Sequence, residues 1–192
     1  NVYEMPLLAK NQFLPDLSAI PEKVAKAARL MFLNYPNNPT SAVTLPGFFE
    51  EAVDFALDHE ILIVHDNAYS EIAFDGYQAP SFLSTEGAME TAIEMHSLSK
   101  TYNMTGWRIG MACGNPDIIA GLARVKTNVD SGVFDVVQKA AIAALTGPQD
   151  CIRDECRTYQ ERRDVLIKGL GALGFEVQAP KATFYVWMEV DD

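Results

Sequence analysis

Three near-continuous apolar runs constrain this chain more than any other feature: ARLMFLN (28–34), EILIVHD (60–66) and TAIEMHS (91–97). Runs that are apolar on successive residues suit strands buried on both faces of a parallel sheet. Between the first two lies LPGFFEEAVDFALDHE (45–60), in which Phe48, Phe49, Ala52, Val53, Ala56 and Leu57 recur at helical spacing. Strand, helix, strand is the βαβ unit. A fourth run, RIGMACG (108–114), follows the lysine of SLSK after only a short loop. That loop is too short for a parallel crossover, so the fourth strand is expected to run antiparallel. The fold class predicted is α/β: a mostly parallel sheet with one antiparallel strand and flanking helices.

The connection 67–90 is looser, with a turn at Pro80 and a short helix expected around 82–90. From Pro116 onward the spacing becomes helical. Pro116 suits a first helical position, and Ile118, Ile119, Leu122 and Val125 share one face. A second helix is predicted over Phe134–Leu145 and a longer one over Asp150–Leu170, whose charged run reads as a solvated face. FEVQ (175–178) and TFYVWMEV (183–190) read as two strands. These shifts place a large domain over 1–150 and the start of a smaller α+β domain over 151–192.

The 192 residues are 48% apolar and 21% charged, an ordinary globular balance. A net charge of −11 disfavours nucleic acid and anionic membranes as partners, because both require basic surface. No run approaches eighteen apolar residues and no leader pattern opens the sequence, so a cytoplasmic protein is expected. Cys113, Cys151 and Cys156 lack zinc or redox spacing and read as reduced thiols; no metal site is expected. The opening NVYEMPL reads like the middle of a longer protein.

In open α/β sheets, ligands bind beyond the carboxyl ends of the strands. There the first run leads into YPNNPT with Asn38, the second into DNAY with Asp66 and Tyr69, and the third into SLSK with Ser97, Ser99 and Lys100. An antiparallel fourth strand returns Arg108 to the same edge; a parallel one would remove it. One lysine, one carboxylate, an arginine, hydroxyls, an amide and a phenol together suit pyridoxal phosphate. A lysine amine forms a Schiff base with an aldehyde, and an acidic partner keeps the pyridine nitrogen protonated. An arginine fork and hydroxyls can grip the phosphate.

YPNNPT, DNAYSE and SLSKTYNMTGWRIG resemble the class I/II aminotransferases of the aspartate aminotransferase fold, pyridoxal-phosphate enzymes of fold type I. The resemblance covers essentially the whole chain. It implies Lys100 as Schiff-base lysine and catalytic base, Asp66 on the pyridine nitrogen, and Asn38 and Tyr69 on the ring oxygen. It likewise implies Ser97, Ser99 and Arg108 on the phosphate, with amino acids and 2-oxo acids as substrates and a homodimer as the assembly. HDNAYSEIAFDGYQAPSFL and KTNVDSGVF are most similar to the LL-diaminopimelate aminotransferase branch and its alanine/aspartate-type relatives. The family's phosphate-capping glycine turn, ring-stacking aromatic and late carboxylate-binding arginine have no counterpart in these residues. Ser41 stands where many relatives carry glycine.

Two other functions fit the same residues: a C–S lyase on this fold, sharing Lys100 and Asp66, and a catalytically silent truncated domain. Bland readings attach to the remaining candidates. Alternation turns His65 to the face opposite Asp66; His59 and His96 are structural, Asn67 and Glu71 bond locally, Trp107 belongs to the core, and Lys126 is solvated.

Overall fold

The computed structural model describes residues 1–190. Four strands form one sheet in the order β1 (Leu30–Asn34), β2 (Leu62–Asp66), β3 (Ala92–Ser97) and β4 (Gly110–Gly114). β1 pairs parallel to β2 and β2 parallel to β3, whereas β4 pairs antiparallel to β3 with Ser97 opposite Gly110. The reversal follows from chain length, since residues 98–109 leave no room for a crossover. Two glycines bring β4 close. A Cβ on Gly110 would lie 2.6 Å from the His96 carbonyl oxygen, and one on Gly114 would lie 2.5 Å from that of Ala92.

Before the sheet lies a short helix, α1 (Glu22–Ala27), and the crossover from β1 to β2 is α2 (Phe48–Asp58). The apolar stripe of α2 buries Phe48, Phe49, Ala52, Val53 and Ala56 against Met31 and Leu33 of β1, Ile63 of β2, and Phe82. His65 belongs to this covered face and Asp66 to the other, as strand alternation requires. The connection 67–91 holds a 3-10 turn at Phe82–Ser84 and the one-turn α3 (Ala88–Thr91). α4 (Leu98–Thr101) carries the lysine loop.

After β4 come α5 (Pro116–Val129), α6 (Asp135–Thr146) and α7 (Asp150–Ala172), close to their predicted spans. Asn115 caps α5, its Oδ1 accepting from the Asp117 and Ile118 amides at 2.9 and 3.1 Å. Arg163 of α7 forks onto Asp75 and donates to the Pro180 carbonyl at 3.0 Å, tying the helix to two distant loops. The strands expected over 175–178 and 183–190 do not form. Their aromatic and β-branched residues favour a pleated surface, but a strand needs a neighbour to receive its hydrogen bonds. Among the described residues this stretch finds one isolated antiparallel bridge, Ala73 to Ala182.

Candidate active site

The loop after β1 is built by asparagines that sequence reasoning had passed over. Asn34 Nδ2 donates to the Asp66 carbonyl at 2.9 Å, and its Oδ1 accepts from the Asn38 amide at 2.9 Å. One side chain thus locks the end of β1 to the end of β2 and sets where Asn38 stands. Asn37 closes the rest of the turn, its Oδ1 accepting from the Thr40 amide and hydroxyl at 3.1 and 2.6 Å. The signal was the density of asparagines in NYPNNPT, since these side chains mimic backbone turns.

Asp66 ends β2 with an exposed side chain that makes no hydrogen bond or ion pair among the described residues. Tyr69, three residues on, is buried, and its Oη accepts from Asn38 Nδ2 at 3.5 Å. Burial above all, with the negative charge of Asp66 nearby, holds the Tyr69 phenol well above the ordinary tyrosine value. It is therefore a proton donor throughout the physiological range. Lys100 is half-buried, with Nζ 5.9 Å from the ring centres of both Tyr69 and Phe184 and no carboxylate paired to it among the described residues. Asn38, Asp66, Tyr69 and Lys100 therefore gather at one sheet edge.

Ser97 Oγ caps α4 by accepting from the Ser99 amide at 3.2 Å, and Ser99 is buried beside it. Arg108 ends the 3-10 turn Thr105–Trp107 with a left-handed φ of 51°, on the same edge as Ser97 because β4 is antiparallel. Its Nη1 donates to the Thr105 carbonyl at 3.0 Å, and the side chain is exposed. Trp107, expected in the core, is 46% exposed instead. It sits in a 3-10 turn that buries none of its three residues.

Phe184 and Tyr185 are the site residues that sequence reasoning missed. Tyr185 Oη lies 2.7 Å from Tyr69 Oη, and the Phe184 ring meets the Tyr69 ring edge-on at 5.5 Å. Beneath the edge, on the covered face, Glu94 is buried with His65 Nδ1 at 3.1 Å, His96 Nε2 at 2.8 Å and the Phe82 amide at 2.7 Å. His65 thus ties β2 to Glu94 of β3, and His96 braces the same carboxylate within β3, structural roles for both.

Residues 1–192 match the family model described as aminotransferase class I and II. The chain belongs to that family. It is 58% identical over 188 residues to the LL-diaminopimelate aminotransferase of Moorella thermoacetica, covering 98% of this chain and 48% of that protein. The enzyme of the same name from Desulforudis audaxviator is 57% identical over the same shares. Among solved structures, substrate-bound BacF from Bacillus subtilis superposes with a TM-score of 0.91 at 44% identity, covering 98% of this chain and 48% of that one. The chain spans about half the length of the curated relatives it matches. Its sheet, three parallel strands and one antiparallel, is the aminotransferase fold expected from the motifs.

Proposed function

We propose that this chain carries the cofactor-binding portion of a pyridoxal-phosphate aminotransferase. Such an enzyme moves an amino group between an amino acid and a 2-oxo acid, here of the LL-diaminopimelate, alanine or aspartate type. The observation that carries the reading is the meeting at one sheet edge of Lys100, the Asn38–Tyr69 pair and an Asp66 carboxylate that has no partner among the described residues. The donor set fits the cofactor, with an amine for its aldehyde, a carboxylate for its pyridinium, and amide and phenol donors for its ring oxygen. Ser97, Ser99 and the free N–H groups of Arg108 suit its phosphate.

Pyridoxal phosphate, when bound, supplies an electron sink for charge developing at the substrate Cα. Asp66 would keep a proton on the pyridine nitrogen, Asn38 and Tyr69 would donate to the ring oxygen, and Ser97, Ser99 and Arg108 would anchor the phosphate. Lys100 would hold the cofactor through its amine and, once free, would serve as the base that carries the substrate Cα proton. The same reading carries a large domain over 1–150, the start of a small one over 151–192, and a cytoplasmic homodimer. No described helix is long and apolar enough to cross a membrane.

The test is borohydride reduction of the chain with pyridoxal phosphate, followed by peptide mapping. A pyridoxyl group on Lys100, absent from Lys100→Ala, is expected. In an active parent, Lys100→Ala should lower transamination by about three orders of magnitude. No adduct, or one elsewhere, sinks the reading. Amino-acid-dependent keto acid formation, without release of pyruvate and ammonia, separates transamination from C–S lysis.

A further inference from the structure

The stretch 183–185 is stapled to the Asn38 loop by a fixed chain of protons. Ser41 Oγ donates to the Tyr185 carbonyl at 2.8 Å. A hydroxyl has one proton, so across the 2.6 Å contact between Ser41 Oγ and Thr183 Oγ1 the threonine must donate. Thr183 Oγ1 in turn accepts from the Tyr185 amide at 3.1 Å. This staple holds the Tyr185 ring against Tyr69, with centres 5.6 Å apart and the phenol oxygens 2.7 Å apart.

The same accounting applies to the phenols. Asn38 Nδ2 can only donate, so it takes one lone pair of Tyr69 Oη. Tyr185 Oη meets no acceptor other than Tyr69 Oη among the described residues. Either phenol can donate across this contact; with the Tyr185 proton on the second lone pair, the Tyr69 proton is left for an acceptor in the cleft beside Lys100. We propose that Tyr185 is a positioning residue, which by donating to Tyr69 turns the Tyr69 proton toward a phenolate oxygen bound between Asn38 and Lys100. The proposal rests on the aminotransferase reading, which supplies that phenolate as the cofactor's ring oxygen. Hydrogen bonds in series polarise one another, so Tyr185 also makes Tyr69 a stronger donor.

A donor held against the phenolate lets the conjugated Lys100 nitrogen release its proton at lower pH. The visible absorption band of chain-bound pyridoxal phosphate reports that titration. Tyr185→Phe, which keeps the ring and removes only the hydroxyl, should raise the midpoint by about half to one pH unit. Tyr69→Phe should raise it further, and the double variant no more than Tyr69→Phe alone. Replacing Tyr185 by 3-fluorotyrosine, a more acidic donor, should move the midpoint down, which a purely structural role would not do. This second substitution also serves if Tyr185→Phe fails to fold. A wild-type chain that loads on Lys100 while neither substitution moves the midpoint overturns this proposal alone. A wild-type chain that takes up no pyridoxal phosphate overturns the reading beneath it.

Discussion

Ser41 shows how one residue can hold a strained backbone because its side chain earns the position. Its φ of 59° lies in the left-handed region, where glycine is favoured and another L-residue costs about 1–2 kcal/mol. The hydroxyl offsets this with its bonds to Thr183 and Tyr185, each contributing about 1 kcal/mol, and with burial of the Thr183 hydroxyl that would otherwise lose its acceptor. The balance orders two variants. Ser41→Gly relieves the backbone but loses the bonds, for a net loss of about 1 kcal/mol. Ser41→Ala loses the bonds and keeps the strain, for about 2–3 kcal/mol. Urea denaturation midpoints test the order, and an alanine variant as stable as the glycine one would contradict it. From sequence Ser41 was only a departure from glycine. Its partners lie 142 and 144 residues away, beyond any local pattern.

At the scale of elements, legibility followed the source of the signal. β1 to β3 show in the sequence as near-continuous apolar runs, and α2 as an apolar stripe that the fold buries. α5 to α7 show by helical spacing and end signals, although α5 buries no residue and α6 and α7 bury one each. The antiparallel turn of β4 was legible from loop length alone. The segment 183–190 was misread because β-propensity describes a side chain's fit to a sheet and cannot supply the neighbouring strand. Lys100, Asp66 and Asn38 could be gathered from strand directions, whereas Tyr185 reaches the site through a turn that carries no periodic mark. Glu94 gives these elements a testable joint, since it links β3 to His65 of β2 and to the Phe82 amide. Burial pushes its carboxyl up, but hydrogen bonds from His65, His96 and Asn67 outweigh this and hold it well below the usual glutamate range. A folded-state value below the unfolded one gives stability that is present above the unfolded value of about 4.3 and lost as pH falls toward the folded value. Glu94→Gln should therefore cost about 2–3 kcal/mol near neutrality and flatten the acid limb, so that the two stability curves converge on acidification. Parallel curves would show that Glu94 is not the group responsible.

For the whole molecule, the sheet has one covered face and one open face over β1 and β2. Register places Leu30, Phe32, Leu62 and Val64 together opposite α2. Leu30 is 52% exposed, Phe32 67% and Leu62 36%. Strands this apolar on both sides imply a sheet meant to be covered on both, and a contiguous exposed patch of that kind marks a contact surface. The net charge of −11 opposes contact between copies at neutral pH, and that repulsion fades toward the isoelectric point near 4.6. The chain by itself should therefore bind a hydrophobic dye such as anilinonaphthalene sulfonate and associate increasingly as pH falls toward that point, as read by sedimentation velocity. Phe32→Glu should weaken both effects while changing the denaturation midpoint by no more than about 0.5 kcal/mol, because its ring contributes little to the existing core. Leu33→Glu, one residue away on the covered face, should prevent folding by burying an unpaired carboxylate. If wild-type and Phe32→Glu chains bind dye equally, the open face is not the contact surface, and the apolar runs owe their composition to something other than a second covering layer.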